Sequence, residues 1–204
     1  MNIALPSIGK ALSFSQQNLS WVVNAYVLAF GGFLLLGGRL ADLFGRRRMF
    51  ISGLLLVACA SLAAGFAANE GQLIAARVGQ GLGGAIISPS ALSIVATTFR
   101  DGAERNKALG AWGAVGGAAG AAGVLLGGVL TEGLGWEWVL WVNVPVATIA
   151  AALAPQLIAE SRAESAARRL DVGGAASVTA GLSVLVYGMV DATDAGWGRS
   201  RRSA

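Results

Sequence analysis

Histidine is absent from this 204-residue chain, and Cys59 is its only cysteine. Those two shortages leave no disulfide framework and no Cys/His metal cluster. With no nucleophile–base pair either, no enzymatic centre is legible, and the sequence calls for no metal and no cofactor. Cys59 lies in mid-stretch among apolar residues and reads as a small packing residue. Charge is scarce too. Charged residues make up 13% of the chain, against about a quarter in a soluble domain, too few to coat a globule with polar surface. The opening residues Met1-Asn-Ile-Ala-Leu-Pro6 lack the charged start and full apolar core of a secretory signal. What the chain has instead is apolar surface, 55% of residues, and 30 glycines. The glycines follow no collagen-like period and cluster within apolar stretches, where small residues let membrane helices approach closely. The basic excess, 15 Lys and Arg against 11 Asp and Glu, lies in short loops rather than on one amphipathic face, which argues against nucleic acid as a partner.

A bilayer-spanning helix needs about 20 mainly apolar residues. Six stretches qualify: Trp21 to about Leu40, Met49 to about Ala68, Leu73 to about Phe99 (broken late by Pro89), Leu109 to about Leu130, Trp138 to about Ile158 with Pro145 inside, and Val172 to about Val190. Residues 1–8 read as the tail of a further span. The connections alternate. Residues 41–48, 100–107 and 159–170 hold most of the basic residues, while 69–72 and 131–137 carry only Glu70, Glu132 and Glu137. The positive-inside bias places the basic loops in the cytoplasm of a multi-pass cell-membrane protein. Trp21, Trp136, Trp138, Trp141 and Trp197 fall near span ends, where an amphipathic ring prefers the interface. Residues 159–170 read as a solvated or interfacial helix whose charges serve solubility. Lipid tolerates no exposed irregular backbone, so the fold class is an all-α membrane bundle.

Between the first two full spans lies a basic knot, Gly38-Arg-Leu-Ala-Asp42-Leu-Phe-Gly45-Arg46-Arg47-Arg48. Gly38 and Gly45 suit a short turn with close helix approach, and Asp42 can accept hydrogen bonds at a helix start. The residue order is more specific than topology alone requires. It resembles the signature loop between spans two and three of the major facilitator superfamily. Further likenesses follow in register. Arg77-Val-Gly-Gln80-Gly81 resembles the family's span-four motif, and the run Gly113, Gly117, Gly120, Gly123, Gly127, Gly128 its span-five antiporter motif. Asn2–Pro6 is similar to the end of span one, and Trp21-Val-Val-Asn24-Ala-Tyr26 to the start of span two in the fourteen-span drug/proton antiporters. The likeness runs to about Trp197.

The resemblance implies a bundle over 1–158, a cytoplasmic loop at 159–171, an additional span at 172–193 and a polar tail at 194–204. It implies proton-coupled efflux of small amphipathic organic compounds by alternating access, with the lipid bilayer and protons as further partners. Gly38, Asp42, Gly45, Arg46 and Arg47 become part of a cytoplasmic gate. Arg77 becomes a proton-coupling residue that tunes a nearby carboxylate, and Gln80, one turn on, shares its network. On the residues alone, Arg77 is either such a functional group or an arginine snorkelling to the outer interface. Asn24, Tyr26, Ser88 and Asn143 are either cavity residues or satisfied interhelical hydrogen bonds. The glycine run argues for very close helix packing. Val124 stands where the family has proline, so either the kink is lost or the glycines suffice to bend the helix. Gly79-x-Gly81-x-x-Gly84 matches a dinucleotide fingerprint, but that motif needs a strand before it, and an apolar span runs through it here. The family builds transporters from two halves with substrate between them, so a C-terminal half and the aspartate ahead of Asn2 are expected outside this sequence. A non-transporting fragment, or an accessory half that needs a partner, is the alternative. The basic tail reads as an aberrant end.

Overall fold

The computed structural model describes residues 1–99, 101–162 and 172–195, and all regular structure among them is helical. A 3-10 turn at Asn2–Ala4 leads into α1 (Leu5–Ala11) and α2 (Gln16–Leu19). The long helices follow: α3 (Trp21–Phe44), α4 (Arg46–Gly65), α5 (Glu70–Thr98) and α6 (Ala103–Gly133). A short α7 (Trp138–Trp141) runs on into α8 (Asn143–Leu157), and α9 spans Val172–Ala195. Taking Trp138–Leu157 as one helix, five helices among the described residues are long and apolar enough to cross a membrane. Six full spans were expected; the sixth stretch forms helix α9, which is not among these five.

Helix α5 is the centre of the bundle and packs along both α3 and α4; α4 also packs on α8, and α3 on α9. Small residues make these contacts. A Cβ built on Gly81 would come within 2.5 Å of the Tyr26 carbonyl oxygen, and one on Gly83 within 2.6 Å of Val57. The apparent dinucleotide fingerprint is therefore a helix-packing face inside α5. Outward-facing side chains are large and apolar, among them Leu125, Val129 and Val146, as a lipid-facing surface requires. Cys59 is exposed on that surface, so it is not the packing residue that its mid-span position suggests.

The prolines depart from expectation. Pro89 does not break α5. It lacks the N–H that would bond the Ala85 carbonyl, and α3 lies over that carbonyl at Gly37, where any Cβ would overlap the oxygen. Pro145 sits in the first turn of α8, where its missing N–H has no helical partner to lose. The interruption in this span falls earlier, at Val142.

The knot is tighter than a loop. Helix α3 continues to Phe44 and α4 begins at Arg46, leaving Gly45 alone between them at φ 109°. Glycine adopts that conformation without a Cβ penalty. Asp42 lies in the last turn of α3 and does not cap a helix start; the α4 N-cap is Gly45. Gly38 lies within α3 rather than in a turn, and a Cβ there would meet Pro89 at 3.4 Å.

The bundle has two chemically distinct ends. At one, the knot meets the last residues of α8, and α5 and α8 end side by side around an opening lined by Phe99 and Ile158. At the other, Trp136, Leu140, Ala64, Leu73, Val22 and Ile8 form an apolar cluster. Trp136 is only 6% exposed there, so it is a core residue and not an interfacial ring. Trp138 is exposed, and Trp141 packs against Phe66 at 5.1 Å between ring centroids. The proposed helix at 159–170 falls mostly outside the described residues, and its described part, 159–162, is not helical. Trp197 and the basic tail also lie outside them.

Candidate functional site: a buried arginine beside an open cavity

Arg77 and Gln80 are three residues apart on α5, hence on one helix face. Both are buried, which settles Arg77 as inward-facing and not snorkelling. Its Nε donates to the Val22 carbonyl of α3 at 2.8 Å, and its Nη1 donates to Gln80 Oε1 at 2.6 Å. The guanidinium carbon stands 4.6 Å from the centroid of the Tyr26 ring, within cation–π range. Gln80 Nε2 in turn donates to Ser61 Oγ of α4 at 2.7 Å. The network thus joins three helices, and one residue in it, Ser61, was not anticipated. The available signal was a lone serine on the small-residue side of α4.

Arg77, Gln80, Tyr26, Ser88 and Asn143 line one open cavity of about 470 Å³, with Phe30, Val57 and Ile87 as its apolar walls. A second opening of about 450 Å³ shares Arg77 and Asn143 and runs along α6 at Gly123 and Gly127 beside Met1. Arg77 thus stands where both openings meet. Asn143 contributes to both while its Nδ2 donates to the Leu140 carbonyl at 3.1 Å, so it lines a cavity and is locally satisfied at once. Asn24, two residues before Tyr26 and so on nearly the opposite side of α3, lines neither opening.

The expected gate residues assemble within this bundle. Arg46 pairs with Asp42 at 3.2 Å. Arg47 Nη1 donates to the Ile158 carbonyl at 3.1 Å and to that of Pro155 at 3.4 Å, covering the end of α8, where helix carbonyls lack partners. Glu160 answers it. Its Oε1 accepts from the Arg47 backbone N–H at 3.2 Å, at the N-terminus of α4, which favours a negative group. Its Oε2 lies 3.8 Å from Arg47 Nε and 3.6 Å from Arg48 Nε. Glu160 is therefore a structural anion and not the solubilising charge its sequence context suggests. Three arginines at one membrane face were the clue that an acid was needed there. A Cβ on Gly45 would strike Glu160 Oε1 at 2.6 Å, a second reason for glycine at the junction.

The antiporter-motif glycines make no close contact. Apart from the helix's own nearby backbone, no described heavy atom lies within 4 Å of a Cβ built on Gly113, Gly117, Gly120, Gly123, Gly127 or Gly128. Only Gly127 is buried on the whole of α6, and the helix is unbroken through Val124. The close packing expected of this run is not made by the described residues.

The family model described as Major Facilitator Superfamily matches residues 1–193. The chain belongs to the major facilitator superfamily. Among its relatives, the puromycin resistance protein pur8 of Streptomyces alboniger is 47% identical over 97% of this chain and 39% of its own length. The cephamycin export protein CmcT of Amycolatopsis lactamdurans is 45% identical over 98% of this chain and 41% of its own. The tetracenomycin C resistance and export protein of Streptomyces glaucescens is 38% identical over 98% and 37%. The chain spans about two fifths of the length of these curated relatives. Family membership and the five long apolar helices make this major-facilitator chain a multi-pass membrane protein.

Proposed function

We propose that the chain forms the N-terminal bundle of a proton-coupled exporter of amphipathic organic compounds, antibiotics among them. The observation that carries this reading is the buried Arg77 network at the meeting point of two open cavities. A buried arginine in a span is costly and marks a functional pathway by default. The cavity walls are apolar and aromatic with a few polar groups, a lining that suits amphipathic ligands. The proton-carrying carboxylate belongs to the first span ahead of Asn2. That Met1 and Arg77 line one opening supports a carboxylate held close to the guanidinium. The basic end, with the knot and Glu160, faces the cytoplasm. The open glycine face of α6 supports a partner half that closes on it, so transport proceeds by rocking of two bundles about a central site.

The test is antibiotic protection of an efflux-deficient bacterium. The 204 residues alone are expected to give none. The same residues fused between the N-terminal and C-terminal parts of the puromycin resistance protein that flank the matched stretch, so that the first span and the second half are both supplied, are expected to protect, and a protonophore or Arg77→Ala to abolish that protection. Protection that survives both would overturn the proton-coupled reading. Protection by the 204 residues alone would overturn the requirement for a partner half.

A further inference from the structure

Arg77 depends on a side chain that it does not touch. Gln80 is held from both sides, its oxygen by Arg77 Nη1 at 2.6 Å and its nitrogen by Ser61 Oγ at 2.7 Å. A guanidinium only donates, and an amide presents one accepting and one donating end. Gln80 can therefore serve Arg77 only with its oxygen turned inward, and its NH2 then needs an acceptor on the other side. Ser61 Oγ supplies that acceptor. The serine has 0% exposure and Gln80 4%, a site in which a lost partner leaves a polar group stranded. If the amide turned over, it would set NH2 against guanidinium, donor against donor.

The helix contact makes the reach possible. Around Ser61, α4 and α5 meet through small groups: a Cβ on Gly79 would lie 3.1 Å from the Ala60 Cβ, and one on Gly53 3.0 Å from the Gly83 carbonyl oxygen. At that separation a serine, the shortest hydroxyl side chain, spans the gap to the Gln80 amide. Alanine would keep the packing and remove only the acceptor.

We propose that Ser61 is a positioning residue for Arg77, acting by fixing the orientation of the Gln80 amide. This rests on the exporter reading for its functional consequence, but the placement of Arg77 can be measured without transport. In the fused protein inserted in vesicles, Ser61→Ala is expected to raise modification of Arg77 by phenylglyoxal several-fold, as the guanidinium escapes its tether, and Ser61→Thr to restore the parent level. In a Gln80→Leu background, where the link is already cut, Ser61→Ala is expected to add nothing, the pattern of two residues acting through one contact. Unchanged labelling in Ser61→Ala, or an undiminished increase from Ser61→Ala in the Gln80→Leu background, overturns the proposal.

Transport then reads the consequence. An arginine drawn away from a carboxylate stabilises the carboxylate's charge less, so the carboxylate holds its proton to higher pH. The pH of half-maximal efflux is expected to move upward by about half a unit or more in Ser61→Ala. Raised labelling with an unmoved pH profile would leave Ser61 as the tether of Arg77 and remove the proton-coupling role from Arg77 itself.

Discussion

Gly37→Val is expected to leave little folded bundle, while Gly117→Val leaves the bundle intact. Gly37 is buried in α3, and the volume of its absent Cβ is already taken by the Ala85 carbonyl oxygen. That atom is backbone, in a turn of α5 that Pro89 has left without its usual hydrogen bond. A side chain there cannot be accommodated by a rotamer change; the central helix pair must separate. The cost should exceed the roughly 1–3 kcal/mol of ordinary overpacking. Gly117, in contrast, has nothing within 4 Å of its Cβ position and lies on the open face of α6. Thermal unfolding in detergent of the 204-residue protein checks the pair, with a parent-like midpoint for Gly37→Val as the result that would refute the argument. In the fused exporter the order of effects on efflux should converge, since Gly117 would then meet the second half.

The second large effect is expected at Glu160. Glu160→Ala removes the acceptor for the first turn of α4 and the counter-charge of Arg47 at the end of α8. The carboxylate is 20% exposed and Arg47 28%, whereas Arg48 is 66% exposed. Most of the loss should therefore come through Arg47, with Arg48 adding little. We expect a destabilisation of about 1–3 kcal/mol, read as a lowered unfolding midpoint. Glu160→Gln should lose less, because its amide oxygen can still accept from the Arg47 N–H. Combining Glu160→Ala with Arg47→Met should cost less than the sum of the two, as for any pair in contact. Strict additivity would show that the clamp has no energetic content.

These two sites show what the sequence could and could not reveal. Five of the six expected spans were legible because hydrocarbon imposes length and apolarity on each one separately. Arg77 and Gln80 were legible together because three-residue spacing puts them on one helix face. Ser61 and Glu160 were not, since their partners lie 19 and 113 residues away. A short hydroxyl or a first polar residue after a span looks ordinary until the helices are placed. The role of Gly37 was hidden for a related reason. In a chain with 30 glycines, nothing local separates one that admits a neighbouring carbonyl from those on α6 that face open space. The proline at 89 misled because its usual cost is a lost hydrogen bond, and here the neighbouring helix packs directly onto the carbonyl left behind.

The one-residue junction at Gly45 also sets the rotational phase of everything after it. A residue added to an α-helix turns the remainder by about 100°, and with no slack between α3 and α4 an insertion next to Gly45 has nowhere to be absorbed. Helix α4 would turn Gly53 and Ser61 away from α5 and set Ser52 and Ala60 in their places, which removes the acceptor for Gln80. Lengthening the connections elsewhere would change only the distance between helices; lengthening this one would change which side of a helix the central span sees.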